Sequence, residues 1–184
     1  SQLNGMAAFN SQNAIAVGEG GAIFYTTNGG TAWNSGTATP TISDTLYGVS
    51  MASTTVAVAA GNGGNVYKSA DSGATWATLT PSGNPFGSYT TFKYHTVSFV
   101  PTSAVTFDVN KIYLCASDGL SESAVFYSND ISVPASTTWT QDVVFEDTSM
   151  YSLAMYDDIY GLAGTARGQS GMFLRTVDPT GTPT

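Results

Sequence analysis

At 184 residues the chain is long enough for one domain with its own core. Thirteen acidic against 5 basic side chains leave a net charge of −8, a field that repels phosphate backbones and anionic membrane surfaces. Aromatics at 12% with 20 glycines favour many short strands joined by tight turns, and no apolar run reaches the ~18 residues of a membrane span.

The chain opens with an alternating apolar strand marked by Leu3, Met6 and Ala8. A small-residue strand, Ala14–Val17, and a short apolar strand, Ile23–Phe24, follow. Gly18-Glu-Gly-Gly21 between them lacks the Gly-Lys-Ser/Thr ending of a phosphate loop and reads as an interstrand turn. Next comes Thr26-Thr-Asn-Gly-Gly-Thr-Ala-Trp33. The order then repeats: Leu46, Val49 and Met51; Val56–Ala59; Val66–Tyr67; and Ser69-Ala-Asp-Ser-Gly-Ala-Thr-Trp76, a position-for-position match to the first motif.

A third copy runs through Tyr94, Val97 and Phe99, then Ile112–Cys115 and Val125–Phe126, to Ser128-Asn-Asp130. Its tryptophan, Trp139, arrives late because of an insertion around Val133–Ser136. The fourth has Met150, Leu153 and Met155, then Ile159–Leu162 and Phe173–Leu174, and closes on Thr176, Asp178 and Gly181 with no tryptophan after them. Four short strands in a repeat of 43 to 56 residues is the pattern of a propeller blade. The fold class is all-β, a propeller of about four blades with approximate bounds 1–41, 42–88, 89–147 and 148–184.

The recurrent motif reads Ser/Thr-x-Asp/Asn-x-Gly-x-x-Trp: Thr26, Asn28, Gly30, Trp33; Ser69, Asp71, Gly73, Trp76; Ser128, Asp130, Trp139. It closes the hairpin between the third and fourth strands of a blade. The Asp or Asn oxygen accepts backbone N–H groups of its own turn, the glycine takes positive φ, the hydroxyl ties the turn's two sides, and the indole buries apolar surface. These are folding roles, so Asp71 and Asp130 are not read as catalytic acids.

These residues resemble the Asp-box, or bacterial neuraminidase repeat, propellers. Ala16-Val-Gly-Glu-Gly-Gly-Ala-Ile23 running into Thr26–Gly30 and Trp33 resembles the photosystem II stability and assembly factor family in particular. The resemblance implies the propeller fold but no single activity, because such propellers include sialidases, xyloglucan hydrolases, sorting-receptor ectodomains and assembly factors. Relatives usually carry six or more blades. Further blades of the same polypeptide or protein partners are therefore expected to cover the outer faces of the first blade (Met6, Ile15, Ile23) and the fourth (Leu153, Leu162, Phe173).

No catalytic, metal or cofactor site is expected. A sialidase site needs three arginines, and this chain has only Arg167 and Arg175. Glu19, Asp44, Asp118, Glu122, Asp142 and Asp157 read as solvated loop carboxylates, and the pairs Glu146-Asp147 and Asp157-Asp158 lack calcium-loop spacing. His95 is the only histidine and reads as a hydrogen-bonded strand residue; Cys115 is the only cysteine and reads as a buried structural thiol. There is no Asn-x-Ser/Thr sequon, while Thr37–Thr41 is a stretch suited to O-linked sugar.

The third repeat carries inserts at Pro81–Thr91, Pro101–Phe107 and Ser132–Ser136. Loops on a rigid scaffold are where binding concentrates, and Phe86, Tyr89, Phe92 and Tyr94 form a partner-binding candidate for a protein or a sugar ring. The expected function is a non-catalytic interaction or scaffold module of a larger extracellular or lumenal assembly, with no nucleic acid and no membrane insertion. The alternatives are part of a carbohydrate-binding or glycoside hydrolase propeller, and a photosystem II assembly factor-like protein.

Overall fold

The computed structural model describes residues 1–79, 93–117, 122–133, 137, 139–146, 149–156, 160–166 and 172–175. The first sheet orders β1 (Leu3–Ala8), β2 (Ala14–Gly18), β3 (Ile23–Thr26) and β4 (Asn34–Ser35) as an antiparallel meander. The chain then forms β5 (Thr37–Thr39), β6 (Leu46–Met51), β7 (Ala57–Gly61), β8 (Val66–Ser69) and β9 (Thr75–Thr78). Strands β6 to β9 repeat the meander as a second sheet, and β5 adds to its outer edge, parallel to β9. The third sheet is β10 (Lys93–Ser103), β11 (Thr106–Ser117), β12 (Glu122–Ser128) and β13 (Thr140–Glu146). The fourth shows β14 (Ser149–Met155), β15 (Tyr160–Ala166) and β16 (Met172–Arg175). Among the described residues, helix is limited to two 3-10 turns, Glu19–Gly21 and Asn62–Gly64.

The innermost strands line up in chain order: β1 packs on β6, β6 on β10 and β10 on β14. Among the described residues no contact of that extent joins β14 back to β1, so the described strands trace an open arc. Apolar layers fill the junctions. Ile15, Val17, Ile23 and Leu46 belong to the first, Val58, Val66, Tyr94, Leu114 and Phe126 to the second, and Cys115, Val125, Met150 and Leu153 to the third.

Each inner strand carries a β-bulge near its start, between Leu3 and Gly5, Leu46 and Gly48, Tyr94 and Thr96, and Met150 and Ser152. The extra residue resets the pleat, which is why Leu46, Val49 and Met51 share a face although their spacing is not strictly even. Ile15, Ile23 and Leu153 correct the expected outer faces, because all three are buried between sheets. Met6, by contrast, is 73% exposed. The side chains of Leu162 and Phe173 lie outside the described set.

Candidate functional site

The recurrent turns are built from their own side chains. In the β8–β9 turn the Ser69 hydroxyl donates to Asp71 Oδ1 at 2.9 Å and accepts the Gly73 N–H at 3.0 Å. Asp71 Oδ1 also accepts the Thr75 N–H at 2.8 Å. The β3–β4 turn repeats this with Thr26 donating to Asn28 (2.9 Å), Gly30 donating to Thr26 (3.0 Å) and Ala32 donating to Asn28 (2.9 Å). Gly73 sits at φ +95° and Gly30 at +84°, backbone that a side chain would strain. Burial works against the Asp71 carboxylate, but hydrogen bonds from Thr75, Ser69 and Ala74 outweigh it and hold Asp71 below the usual carboxylate range.

The third turn departs from this scheme. Ser128 donates to the Asp130 main-chain oxygen at 3.3 Å, and Asp130 Oδ1 accepts the N–H of Ser132 at 2.8 Å, only two residues on. Hydrogen bonds from Ser132, with lesser help from Lys68, lower the Asp130 carboxylate. Thr176, Asp178 and Gly181 lie outside the described residues. One further bond recurs in all three described turns. The residue after the Asp or Asn donates its N–H to the inner hairpin of the same sheet: Gly29 to Gln12 (3.0 Å), Ser72 to Thr55 (2.9 Å) and Ile131 to Asn110 (3.0 Å). The Asp71 and Asp130 carboxylates each accept a backbone N–H of their own turn through Oδ1.

Trp76 and Trp139 are buried, at 3% and 8% exposure, and each packs into the layer shared with the preceding sheet. Trp33, expected to be buried like them, is 44% exposed, because among the described residues no sheet covers the first one on that side.

A second repeated feature follows from the bulges. Their extra residues are Asn4, Tyr47, His95 and Tyr151, one per inner strand. Asn4 Nδ2 donates across the junction to Leu46 O at 3.0 Å. The His95 ring stands between Tyr47 and half-exposed Tyr151, with centroids 5.7 and 4.7 Å away. His95 is therefore a ring in an aromatic row rather than a hydrogen-bonded strand residue, and its Nε2 is buried with no partner among the described residues. Burial, reinforced by Lys93, keeps the imidazole below its ordinary pKa. The row was legible only as one recurring position, the residue after Leu3, Leu46, Tyr94 and Met150.

Of the aromatic loop candidates, Phe86, Tyr89 and Phe92 lie outside the described residues. Tyr94 does not belong to a surface: it is fully buried in the second apolar layer, because the first residues of β10 pack onto the second sheet. The insert Pro101–Phe107 is no loose loop either. It is the tip of a β10–β11 hairpin that overruns the other inner hairpins. Between this tip and the end of β14 lies a cavity of about 470 Å³, lined by Pro101, Ser103, Ala104, Phe107, Met155 and Tyr156. Tyr156 is 79% exposed at its rim, and Val105 projects from the tip.

Asp44 accepts from Asn65 Nδ2 at 2.8 Å and from the Tyr67 hydroxyl at 3.3 Å. Burial, then Asp44, pushes the Tyr67 phenol up to about 12. Glu19 is exposed and takes the Gln2 N–H at 3.3 Å. Asp118, Asp147, Asp157, Asp158 and Arg167 lie outside the described residues, as do the side chains of Glu122, Asp142, Glu146 and Arg175. Burial pushes the Cys115 thiol up to about 12, against hydrogen bonds from Thr96. Among the described residues no three His, Cys, Asp or Glu side chains gather as a metal site, and no helix is long and apolar enough to cross a membrane.

No protein-family model and no curated protein sequence matches this chain. Among solved structures, YCF48 from Cyanidioschyzon merolae superposes on 91% of it with a TM-score of 0.54 at 15% identity. The chain spans 56% of that protein's length. YCF48 bound to D1 peptide aligns over 99% of this chain and 80% of its own, with a TM-score of 0.39 and 16% identity. The WD40 β-propeller domain of Doa1 aligns over 94% and 67%, with a TM-score of 0.48 and 12% identity. The first of these likenesses shows the fold.

Proposed function

We propose that this chain is a non-catalytic β-propeller module that binds protein partners, working in an extracellular or lumenal setting. The observation that carries the reading is the third-sheet hairpin tip. It is longer than any blade requires, it rises from a rigid scaffold, and it shapes an apolar-rimmed cavity beside exposed Val105 and Tyr156. An exposed apolar rim around a concavity of this size is the profile of a recognition surface. The turn carboxylates, bound to their own backbone, supply no competing chemistry. The setting rests on composition, with few basic residues and a net charge of −8.

A displayed random-peptide library and a glycan array, each probed with the purified chain, test this reading. The expected result is enrichment of peptides whose binding falls at least tenfold in the Val105→Asp/Tyr156→Ser double variant, with its melting temperature unchanged. Binding confined to glycans, or peptide binding indifferent to the double variant, overturns it.

A further inference from the structure

The chain contains three Asn–Gly pairs: Asn4-Gly5, Asn28-Gly29 and Asn62-Gly63. Such pairs are thermally labile, because glycine puts no Cβ in the way when its nitrogen turns onto the asparagine side chain. Any hydrogen bond on that nitrogen or on the side-chain amide has to break before the two can meet.

In the first pair Asn4 Nδ2 is held by Leu46 O at 3.0 Å. Gly5 lies inside β1, paired with Val17, and packs so closely on β6 that a Cβ built on it would clash with Tyr47 O. In the second pair the Gly29 N–H donates to Gln12 O at 3.0 Å. Asn28 Oδ1 accepts both the Thr26 hydroxyl and the Ala32 N–H at 2.9 Å. The third pair has neither restraint. Asn62 Oδ1 is buried with no partner among the described residues, and the N–H of exposed Gly63 finds no acceptor among them.

We propose that Asn62 is the site at which the folded chain deamidates. The Gly63 nitrogen bonds to Asn62 Cγ, the Cγ–Nδ2 bond breaks, and ammonia leaves carrying the Gly63 proton. Water then opens the resulting succinimide at either carbonyl, giving aspartate or isoaspartate at position 62. The aspartyl form has a counterpart, since Glu19 holds the same place in the turn of the first sheet. The isoaspartyl form adds a methylene to a main chain that is fixed on both sides. The Asn62 N–H is tied to Thr45 O at 2.9 Å, and a Cβ at Gly64 would stand 3.5 Å from the Tyr94 hydroxyl. Tyr94 belongs to the second apolar layer, so the lengthened turn strains the junction between the second and third sheets.

The test ages the folded chain in mildly alkaline buffer and follows all three pairs by peptide mapping and mass spectrometry. Asn62 is expected to convert at least tenfold faster than Asn4 or Asn28, and the three should convert at similar rates in denaturant. A Thr26→Val chain, which removes one donor from Asn28, should speed Asn28 and leave Asn62 unchanged. Equal rates in the folded chain, a faster Asn4 or Asn28, or an Asn62 lead that persists in denaturant overturns the proposal. So does an Asn28 rate indifferent to Thr26→Val, since hydrogen bonding would then not set the order. The isoaspartyl fraction, once separated, should melt below an Asn62→Asp variant; equal melting overturns the strain on the second junction.

Discussion

The Ser72 N–H donates to the Thr55 carbonyl at 2.9 Å, fastening the outer hairpin of the second sheet to its inner hairpin. Ser72 reaches it at φ +68°, and Asp71 stabilises that turn by accepting from Ser69 and Thr75. Asp71→Ala is expected to cost roughly 1–2 kcal/mol, because turn N–H groups lose their acceptor. Asp71→Asn should recover most of it, as Asn28 fills the same place in the first sheet. The folded carboxyl lies below its ordinary range, so its contribution is present above about pH 4 and lost as pH falls through the folded value. Urea melts of wild type and Asp71→Asn at neutral and acidic pH should therefore converge as pH falls.

Trp76 and Trp33 share a motif position and differ in cover. Trp76→Ala should destabilise by roughly 3–5 kcal/mol as a truncation inside a packed layer. Trp33→Ala should stay within about 1 kcal/mol, the range of surface changes. Calorimetry of the two single variants decides the point; equal losses would show that the indole acts within its own turn rather than between sheets.

His95 titrates below its ordinary value because its ring is desolvated and Lys93 stands close by. Between the folded pKa and about 6.5 the unfolded chain binds the extra proton, so stability declines as pH drops through that window. His95→Gln should flatten the decline. Parallel denaturation curves for wild type and variant at about pH 5 and 7.5 check it.

Burial raises the Cys115 thiol to about 12, leaving almost no thiolate at neutral pH. A maleimide should leave the native protein unmodified and label it at one site after denaturation. Fast native labelling would show that the third junction opens readily.

The four-fold repeat was legible because each strand type recurs in order, and the turn chemistry because Ser/Thr, Asp/Asn and Gly have narrow roles at fixed offsets. What escaped depends on neighbours rather than on local pattern. Trp33 holds the same place in its motif as Trp76 but is 44% exposed, with no sheet beside it among the described residues. Tyr94 borders an aromatic insert in sequence but is the second residue of β10, next to the bulge, and packs into the second layer. Thr37–Thr39 reads as part of a Thr- and Pro-rich connection, and nothing within it announces parallel pairing with β9. The His95 row was hidden because a bulge residue breaks the alternation from which facing is inferred.

The crossing of β5 also bears on how the arc comes apart. In stacked repeats, terminal units ordinarily fray one at a time, each seam opening independently. Here the segment that directly follows β4 in the chain is hydrogen-bonded as the outermost strand of the next sheet. The first seam is therefore overlapped, and loosening the first sheet tugs on the second through a single residue, Gly36. Native-state hydrogen exchange should show the amides of β3 and β4 opening together with Thr37–Thr39 and the second sheet, which makes two neighbouring blades one unit of cooperativity.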